Sequence, residues 1–196
     1  IRLLQGDVGS GKTVVALLSI LISIDNNYQS CLVAPTEILA FQHFKNFKDK
    51  FENLGLVVKV LTGSTKSSDR KILLNDLKNG SINLLIGTHA IFEQNVIFNN
   101  LGYAVIDEQH RFGVKQRSKI WEKNNPPPHV LIMTATPIPR TLTMSLYGDL
   151  DLSIIDELPP GRKDVITVHR KDKNRLKVFG FIRDQIRKGR QIYIVY

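Results

Sequence analysis

The chain of 196 residues contains, close to its start, the stretch Gly6-Asp7-Val8-Gly9-Ser10-Gly11-Lys12-Thr13. It fits the pattern G-x-x-x-x-G-K-[ST] between an apolar run and a helical pattern. Glycines let the backbone turn tightly, so successive N–H groups face an anion, and the positive end of the following helix points at the same anion. Lys12 can then reach the β- and γ-phosphates of a nucleotide, and Thr13 can ligate Mg²⁺. The alternative is a glycine-rich turn without a ligand.

Beyond this stretch, short apolar runs alternate with helical patterns. The runs are Ile1–Gln5, Cys31–Ala34, Val57–Leu61, Ile82–Ile86, Tyr103–Ile106 and Val130–Met133. The chief helical patterns are Lys12–Asp25, Glu37–Leu54 and Ser68–Lys78. Strands that alternate with helices indicate βαβ units and a parallel sheet covered on both faces. We therefore predict an α/β fold of the P-loop NTPase kind, a three-layer α/β/α arrangement with a mostly parallel sheet.

A polar loop follows every apolar run. The loops are Gly6–Thr13, Pro35–Glu37, Thr62–Ser64, Gly87–His89, Asp107–His110 and Thr134–Thr136. Ligands of such sheets bind outside the carboxyl ends of the strands. If the runs are parallel strands, all six loops meet at one edge, which we predict to be the functional edge.

The run Tyr103–Ile106 ends in two carboxylates, Asp107 and Glu108. At such a strand end Asp107 can hold Mg²⁺ opposite Thr13, and Glu108 can orient and deprotonate an attacking water. A strand that ends in Asp-Glu is a weak signal alone, and a solvated turn is the alternative. Together with the phosphate loop it predicts nucleotide hydrolysis, because hydrolysis requires both parts.

Two motifs resemble those of superfamily 2 helicases. Asp107-Glu108-Gln109-His110 is similar to their DExH box, and Met133–Leu142 is similar to their third motif. Within the superfamily the chain resembles the RecG family of fork-reversing, branch-migrating DNA helicases. That similarity runs through Gln5–Thr13, Ala34–Gln42, Leu61–Ser64, Ile86–Ala90, Val105–Arg117, Met133–Leu142 and Gly148–Lys163. It implies a RecA-like, helicase ATP-binding domain over residues 1–157, followed by a linker and the truncated start of a second RecA-like domain over residues 158–196.

The resemblance also implies residue roles. Gly6 to Thr13 would bind ATP, with Lys12 on phosphate, Thr13 and Asp107 on Mg²⁺, and Glu108 as general base. Two DExH-box residues, Gln109 and His110, would couple the nucleotide to the third-motif loop, with His110 acting at the catalytic centre. The third-motif residues concerned are Thr134, Ala135 and Thr136.

A further group of loop residues matches positions that line the DNA strand in this superfamily. The group consists of Pro35, Thr36, Thr62, Gly63, Thr88 and His89. Threonine hydroxyls and loop N–H groups can hold a phosphate backbone without reading bases. For each residue alone, an ordinary loop position or a helix N-cap is the competing interpretation.

The formal net charge of +9 contributes little to the DNA assignment. Residues 1–156 carry a balance of +2, whereas residues 157–196 carry +7. A solvated basic helix, Lys173–Lys188, explains this excess as well as a DNA contact does. On either side of that helix, Val165–His169 and Gln191–Tyr196 are predicted strands.

The remaining side chains of interest have structural interpretations. Four phenylalanines at helical spacing, Phe41, Phe44, Phe47 and Phe51, are expected in the core, with His43 partly packed among them. The single cysteine, Cys31, is expected to be buried and inert. No apolar run reaches the roughly 20 residues that span a membrane.

Several parts that the resemblance requires are expected outside this chain. Arginines of the second RecA-like lobe would follow Tyr196, and the N-terminal wedge domain that engages branched DNA would precede Ile1. We expect the isolated fragment to bind Mg·ATP weakly and to be poorly active. The expected partners are branched DNA and these two domains of the same longer chain, in the cytoplasm of a bacterium.

Two other functions stay open. One is a double-stranded-DNA translocase of the transcription-repair coupling type, although that type has Asp-Glu-Glu-Gln where this chain has Asp107-Glu108-Gln109-His110. The other is a nucleotide-binding interaction module that hydrolyses nothing. In the second case Glu108 and the paired threonines would have no role.

Overall fold

The computed structural model describes residues 1–108, 120–121, 123–136, 150–157, 161 and 165–195. The chain divides into two compact units, Ile1–Pro159 and Pro160–Tyr196.

One seven-stranded sheet forms the centre of the first unit. Its strands are β1 (Arg2–Gly6), β2 (Gln29–Val33), β3 (Val58–Leu61), β4 (Leu84–Gly87), β5 (Leu101–Asp107), β6 (His129–Thr134) and β7 (Asp151–Ile155). Their order across the sheet is β3-β4-β2-β5-β6-β1-β7. Every pairing between neighbours is parallel. The predicted parallel sheet is therefore confirmed, and all its strands end at one edge.

Helices cover both faces of this sheet. They are α1 (Lys12–Asp25), α2 (Glu37–Glu52), α3 (Ser67–Lys78) and a short 3-10 helix, His89–Phe92. Alternate residues of each strand supply two separate apolar clusters, because successive side chains point to opposite faces. α1 and α2 pack with Leu32 and Val105 in one cluster, and α3 packs with Cys31 and Ala104 in the other. The three-layer α/β/α prediction is confirmed.

The aromatic and thiol side chains follow the sequence prediction with one exception. Phe47 and Phe51 are fully buried and Phe44 packs against the same cluster, but Phe41 is 48% exposed. The prediction that Phe41 belongs to the core is wrong, because this position faces outward from α2. Cys31 is fully buried, and burial raises the pKa of its thiol to about 12.

The second unit contains the predicted helix but not the predicted strands. α4 (Arg175–Arg187) follows a short 3-10 turn, Asp172–Asn174. The described backbone is irregular over Val165–His169 and over residues 191–195, so the two strand predictions are wrong for the described residues. Residues with a high β-propensity form a strand only where a neighbouring strand supplies the hydrogen-bond partners. Among its described residues, this unit has no such neighbour.

Candidate active site

The phosphate loop connects β1 to α1 and has the backbone that anion binding requires. Gly9 and Gly11 lie in the left-handed region, with φ of 83° and 97°. A Cβ on Gly6 would lie 2.5 Å from Ser10 Oγ and 3.1 Å from Ile155 Cβ, so this position has no room for a side chain. Lys12 Nζ donates to the main-chain carbonyls of Gly6 (2.7 Å) and Asp7 (2.8 Å). The ammonium group is therefore held inside the curve of the loop.

Unpaired polar groups of this loop fit a phosphate. Among the described residues no protein acceptor is recorded for the N–H groups of Gly9, Gly11, Lys12 and Thr13. The Ser10 hydroxyl oxygen is buried and has no partner there. Buried polar groups without partners are rare in proteins, and a bound ion is one of the explanations for them. An oxyanion at the N-terminus of α1 would satisfy these donors.

Asp107 lies two strands away from the loop, on the face that α1 covers. β6 separates β5 from β1, so the two strand ends are about 10 Å apart, twice the spacing of neighbouring strands. Asp107 shares its face with Val105, which packs in the α1 cluster. Mg²⁺ commonly takes one or two protein oxygens together with phosphates and waters, so such a gap suits it. The described residues contain no cluster of three or more His, Cys, Asp or Glu side chains that could bind a metal without phosphate.

Glu108 is joined to β6 by its backbone and by its side chain. Its N–H donates to the Met133 carbonyl (3.0 Å). Its carboxylate accepts from the Ala135 N–H (3.3 Å) and from the Thr134 hydroxyl (3.5 Å). Glu108 has a φ of 49°, a left-handed conformation that is uncommon outside glycine and often marks functional sites.

The third-motif loop is therefore in direct contact with the predicted general base. Thr134 is fully buried, and its hydroxyl accepts from the N–H of Thr136 (3.1 Å) while it donates to Glu108. Two other residues predicted to take part in coupling, Gln109 and His110, lie outside the described residues.

His43 is a contact of Asp107 that the sequence did not reveal. Its Nε2 lies 2.9 Å from Asp107 Oδ2, and the two side chains are 9% and 14% exposed. The helical pattern correctly predicted a packed histidine on α2. It carried no signal for the partner, because the partner depends on how α2 packs against the sheet.

The predicted DNA-facing residues follow β2, β3 and β4 at the same edge, but their exposure differs. Pro35 and Thr36 are half-buried, whereas Gly63 and His89 are exposed. Thr62 and Thr88 are only 1% and 2% exposed. As they stand, the hydroxyls of these two threonines cannot reach a nucleic acid.

Several of these residues have local structural roles. Thr36 caps α2, because its hydroxyl accepts from the N–H of Leu39 (3.3 Å). The Thr88 N–H donates to the Leu61 carbonyl (3.2 Å). These contacts agree with the competing N-cap and loop interpretations, and the DNA assignment of the six residues stays a prediction.

Glu37 ties the loop after β2 to the loop after β3. Its two carboxylate oxygens accept from the N–H (3.1 Å) and from the hydroxyl (2.8 Å) of Ser64. The hydrogen bond from the Ser64 hydroxyl, followed by that from its N–H, lowers the pKa of Glu37. The sequence did not predict this link either.

The comparisons with known proteins agree with this geometry. A family model described as DEAD/DEAH box helicase matches residues 2–145. The curated ATP-dependent DNA helicase RecG of Aquifex aeolicus is 51% identical over 196 residues, which are all of this chain and 25% of that protein. The RecG of Escherichia coli O157:H7 is 52% identical over 198 residues, 99% of this chain and 29% of that protein.

Solved structures give the same result. One similar structure shows RecG bound to a three-way DNA junction, with 42% sequence identity and a TM-score of 0.84. The matched region covers 100% of this chain and 26% of the RecG chain. A DEAD box protein from Methanococcus jannaschii matches with a TM-score of 0.61 and 21% identity, over 79% of this chain and 45% of that one. At this identity the match supports the fold and nothing more. The chain spans about a quarter of the length of the RecG relatives that it matches. With its phosphate loop, its acidic pair and a family model over most of its length, the chain belongs to the DEAD/DEAH box helicase family.

Proposed function

We propose that this chain is the ATP-binding part of a DNA helicase motor of the RecG type. ATP hydrolysis would drive movement along branched DNA, with branch migration and fork reversal in recombination and repair as its outcome. One observation carries the proposal most directly. Glu108, at the edge where the phosphate loop lies, contacts the third-motif loop through Thr134 and Ala135. One carboxylate can therefore report the state of the nucleotide to a second loop.

The phosphate loop would bind ATP, the substrate, through its unpaired N–H groups. Lys12 is held inside the loop by two carbonyls, and it would move its ammonium group onto the β- and γ-phosphates. Thr13 and Asp107 would hold Mg²⁺ between α1 and β5. Bound Mg²⁺ would neutralise the charge that develops on the transferred phosphoryl group.

Hydrolysis would start at the Glu108 carboxylate. The carboxylate would accept a proton from a water whose oxygen forms a bond to the γ-phosphorus. The bond from that phosphorus to the β–γ bridging oxygen breaks, and ADP leaves with this oxygen. Because the Glu108 carboxylate also accepts from the Thr134 hydroxyl and the Ala135 N–H, a change in its charge or position during turnover would act on the third-motif loop. His110 would belong to the same link.

DNA would bind along the edge formed by the loops after β2, β3 and β4. The accessible groups there are Pro35, Thr36, Gly63 and His89, while Thr62 and Thr88 would support the loops from within. A RecG relative has been solved on a three-way DNA junction, which supports branched DNA as the substrate. A longer chain would also contain a second RecA-like lobe and an N-terminal wedge domain. The protein would act in the cytoplasm of a bacterium.

The test is Glu108→Gln in the full-length protein, with Glu52→Gln on the exposed side of α2 as the matched control. Removing a general base costs about 10²–10⁴-fold in rate. We expect DNA-stimulated ATP hydrolysis to fall by that factor while binding of a fluorescent ATP analogue stays within a few-fold. The control should keep full activity. Normal hydrolysis in Glu108→Gln would exclude the proposed base.

The same protein separates the competing functions. A RecG-type motor should hydrolyse ATP fastest with forks and junctions, whereas a translocase of the transcription-repair coupling type should respond equally to linear duplex. A non-catalytic module would show no turnover for Glu108→Gln to remove. For either type of motor, the isolated 196-residue chain should bind Mg·ATP weakly and turn it over slowly.

A further inference from the structure

We propose that His43 is a positioning residue for the metal-binding carboxylate of Asp107. The inference rests on the proposed function, in which Asp107 binds Mg²⁺. The hydrogen bond of 2.9 Å joins His43 Nε2 to Asp107 Oδ2. An ionised carboxylate only accepts hydrogen bonds, so Nε2 carries the proton of this bond. Oδ1 is left as the oxygen that can face the metal and its waters.

The surroundings of His43 fix its ring. The residue is 7% exposed on the buried side of α2. Its ring meets Phe47 edge-on, with centroids 6.2 Å apart and planes at 75°. Packed rings of this kind hold one rotamer, so Nε2 is aimed at one place. The hydrogen bond therefore restricts the rotation of the Asp107 side chain at the end of β5.

The other ring nitrogen argues against a purely structural polar contact. Nδ1 is buried and has no hydrogen-bond partner among the described residues. Burying a polar atom without a partner destabilises a folded protein. An apolar side chain at this site would avoid that cost, so the histidine is explained by what Nε2 does for Asp107. Groups that orient a metal-binding carboxylate in this way commonly change metal affinity or activity by about 10–100-fold when removed.

The experiment compares three substitutions of His43 in the full-length protein. Gln places an amide N–H close to the position of Nε2 and should keep the bond to Asp107. The Asn side chain is too short for its amide N–H to reach that position, and Leu has no hydrogen-bond donor. Phe51→Leu is the packing control, because Phe51 is fully buried two turns further along α2.

The measurement is equilibrium binding of fluorescent mant-ADP during a Mg²⁺ titration, which needs no turnover. We expect His43→Asn and His43→Leu to raise the half-saturating Mg²⁺ concentration about 10-fold or more. We expect His43→Gln and Phe51→Leu to stay within about threefold of the parent protein. Without Mg²⁺, all variants that fold should bind the nucleotide equally.

Three outcomes decide the matter. A threshold that rises for Asn but not for Gln supports the proposal, even if the Leu variant does not fold. Equal thresholds for Asn, Gln and the parent protein overturn it and leave His43 a packing residue. If the parent protein itself binds mant-ADP without any response to Mg²⁺, the proposed function fails first and this inference falls with it.

Discussion

The side chain of Gln29 makes a set of hydrogen bonds that gives a quantitative test of how the sheet is held together. Gln29 is 5% exposed at the start of β2. Its Nε2 donates to the carbonyls of Leu77 (3.0 Å) and Ile82 (2.8 Å). Its Oε1 accepts from the N–H groups of Asn99 (2.7 Å) and Asn100 (3.0 Å). One amide thus fastens the connections that lead into β4 and β5.

Replacing Gln29 with leucine removes all four bonds and keeps a side chain of similar size. Net hydrogen-bond contributions of about 1 kcal/mol each sum to about 4 kcal/mol. The added apolar burial of leucine returns about 1–2 kcal/mol. We therefore expect Gln29→Leu to lower the free energy of unfolding by about 2–3 kcal/mol. For a domain of this size, the loss corresponds to a fall in Tm of roughly 5–10 °C.

Urea denaturation followed by circular dichroism measures this loss. The midpoint should fall while the slope m stays constant, because the surface exposed on unfolding is unchanged. Gln42→Leu, the same substitution at an exposed position of α2, should change stability by less than about 0.5 kcal/mol. A loss below about 1 kcal/mol for Gln29→Leu would refute the four-bond account.

Two further predictions follow from shifted pKa values. Cys31, whose thiol pKa is raised to about 12, should react with Ellman's reagent only when the domain unfolds. Because the folded pKa lies above the unfolded one, its contribution to stability should be lost as the pH rises above about 9. The lowered pKa of Glu37 has the opposite sign, so its link to Ser64 should persist at neutral pH and be lost in acid, as the pH falls through the folded pKa. Amide exchange at Ser64 should rise in Glu37→Gln at pH 7 and stay unchanged in the control Glu52→Gln. Unchanged exchange at Ser64 would contradict the link.

The central parts of the fold could be predicted because local sequence determines them. The helix predicted over Lys12–Asp25 has the same bounds in the structure, since Gly11 opens it and its apolar positions repeat with the helical period. The strand β7 was not predicted. Among the described strands it is the edge strand and pairs with β1 alone, so its residues are partly exposed and lack the continuous apolar run of a central strand.

The site could be predicted only in part, because the motifs name residues without their tertiary partners. Lys12, Asp107 and Glu108 lie at the predicted edge. Their contacts with main-chain carbonyls, with His43 and with the loop of Thr134 depend on how helices and loops cross the sheet. Burial is also tertiary information. A threonine in a loop after a strand can face solvent or the interior, and Thr88 faces the interior.

The backbone at Glu108 is strained where its side chain contacts the loop after β6. A φ of 49° costs a residue with a Cβ roughly 1–2 kcal/mol, and glycine would avoid that cost. Glycine has no carboxylate, so the strained conformation is retained for the side chain. The turn places the Glu108 N–H on Met133 and the carboxylate on Ala135, one residue beyond the end of β6. β6 lies between the strand of the phosphate loop and the strand of the acidic pair. In the proposed function, a change at the Glu108 carboxylate would therefore reach the third-motif loop through a single residue.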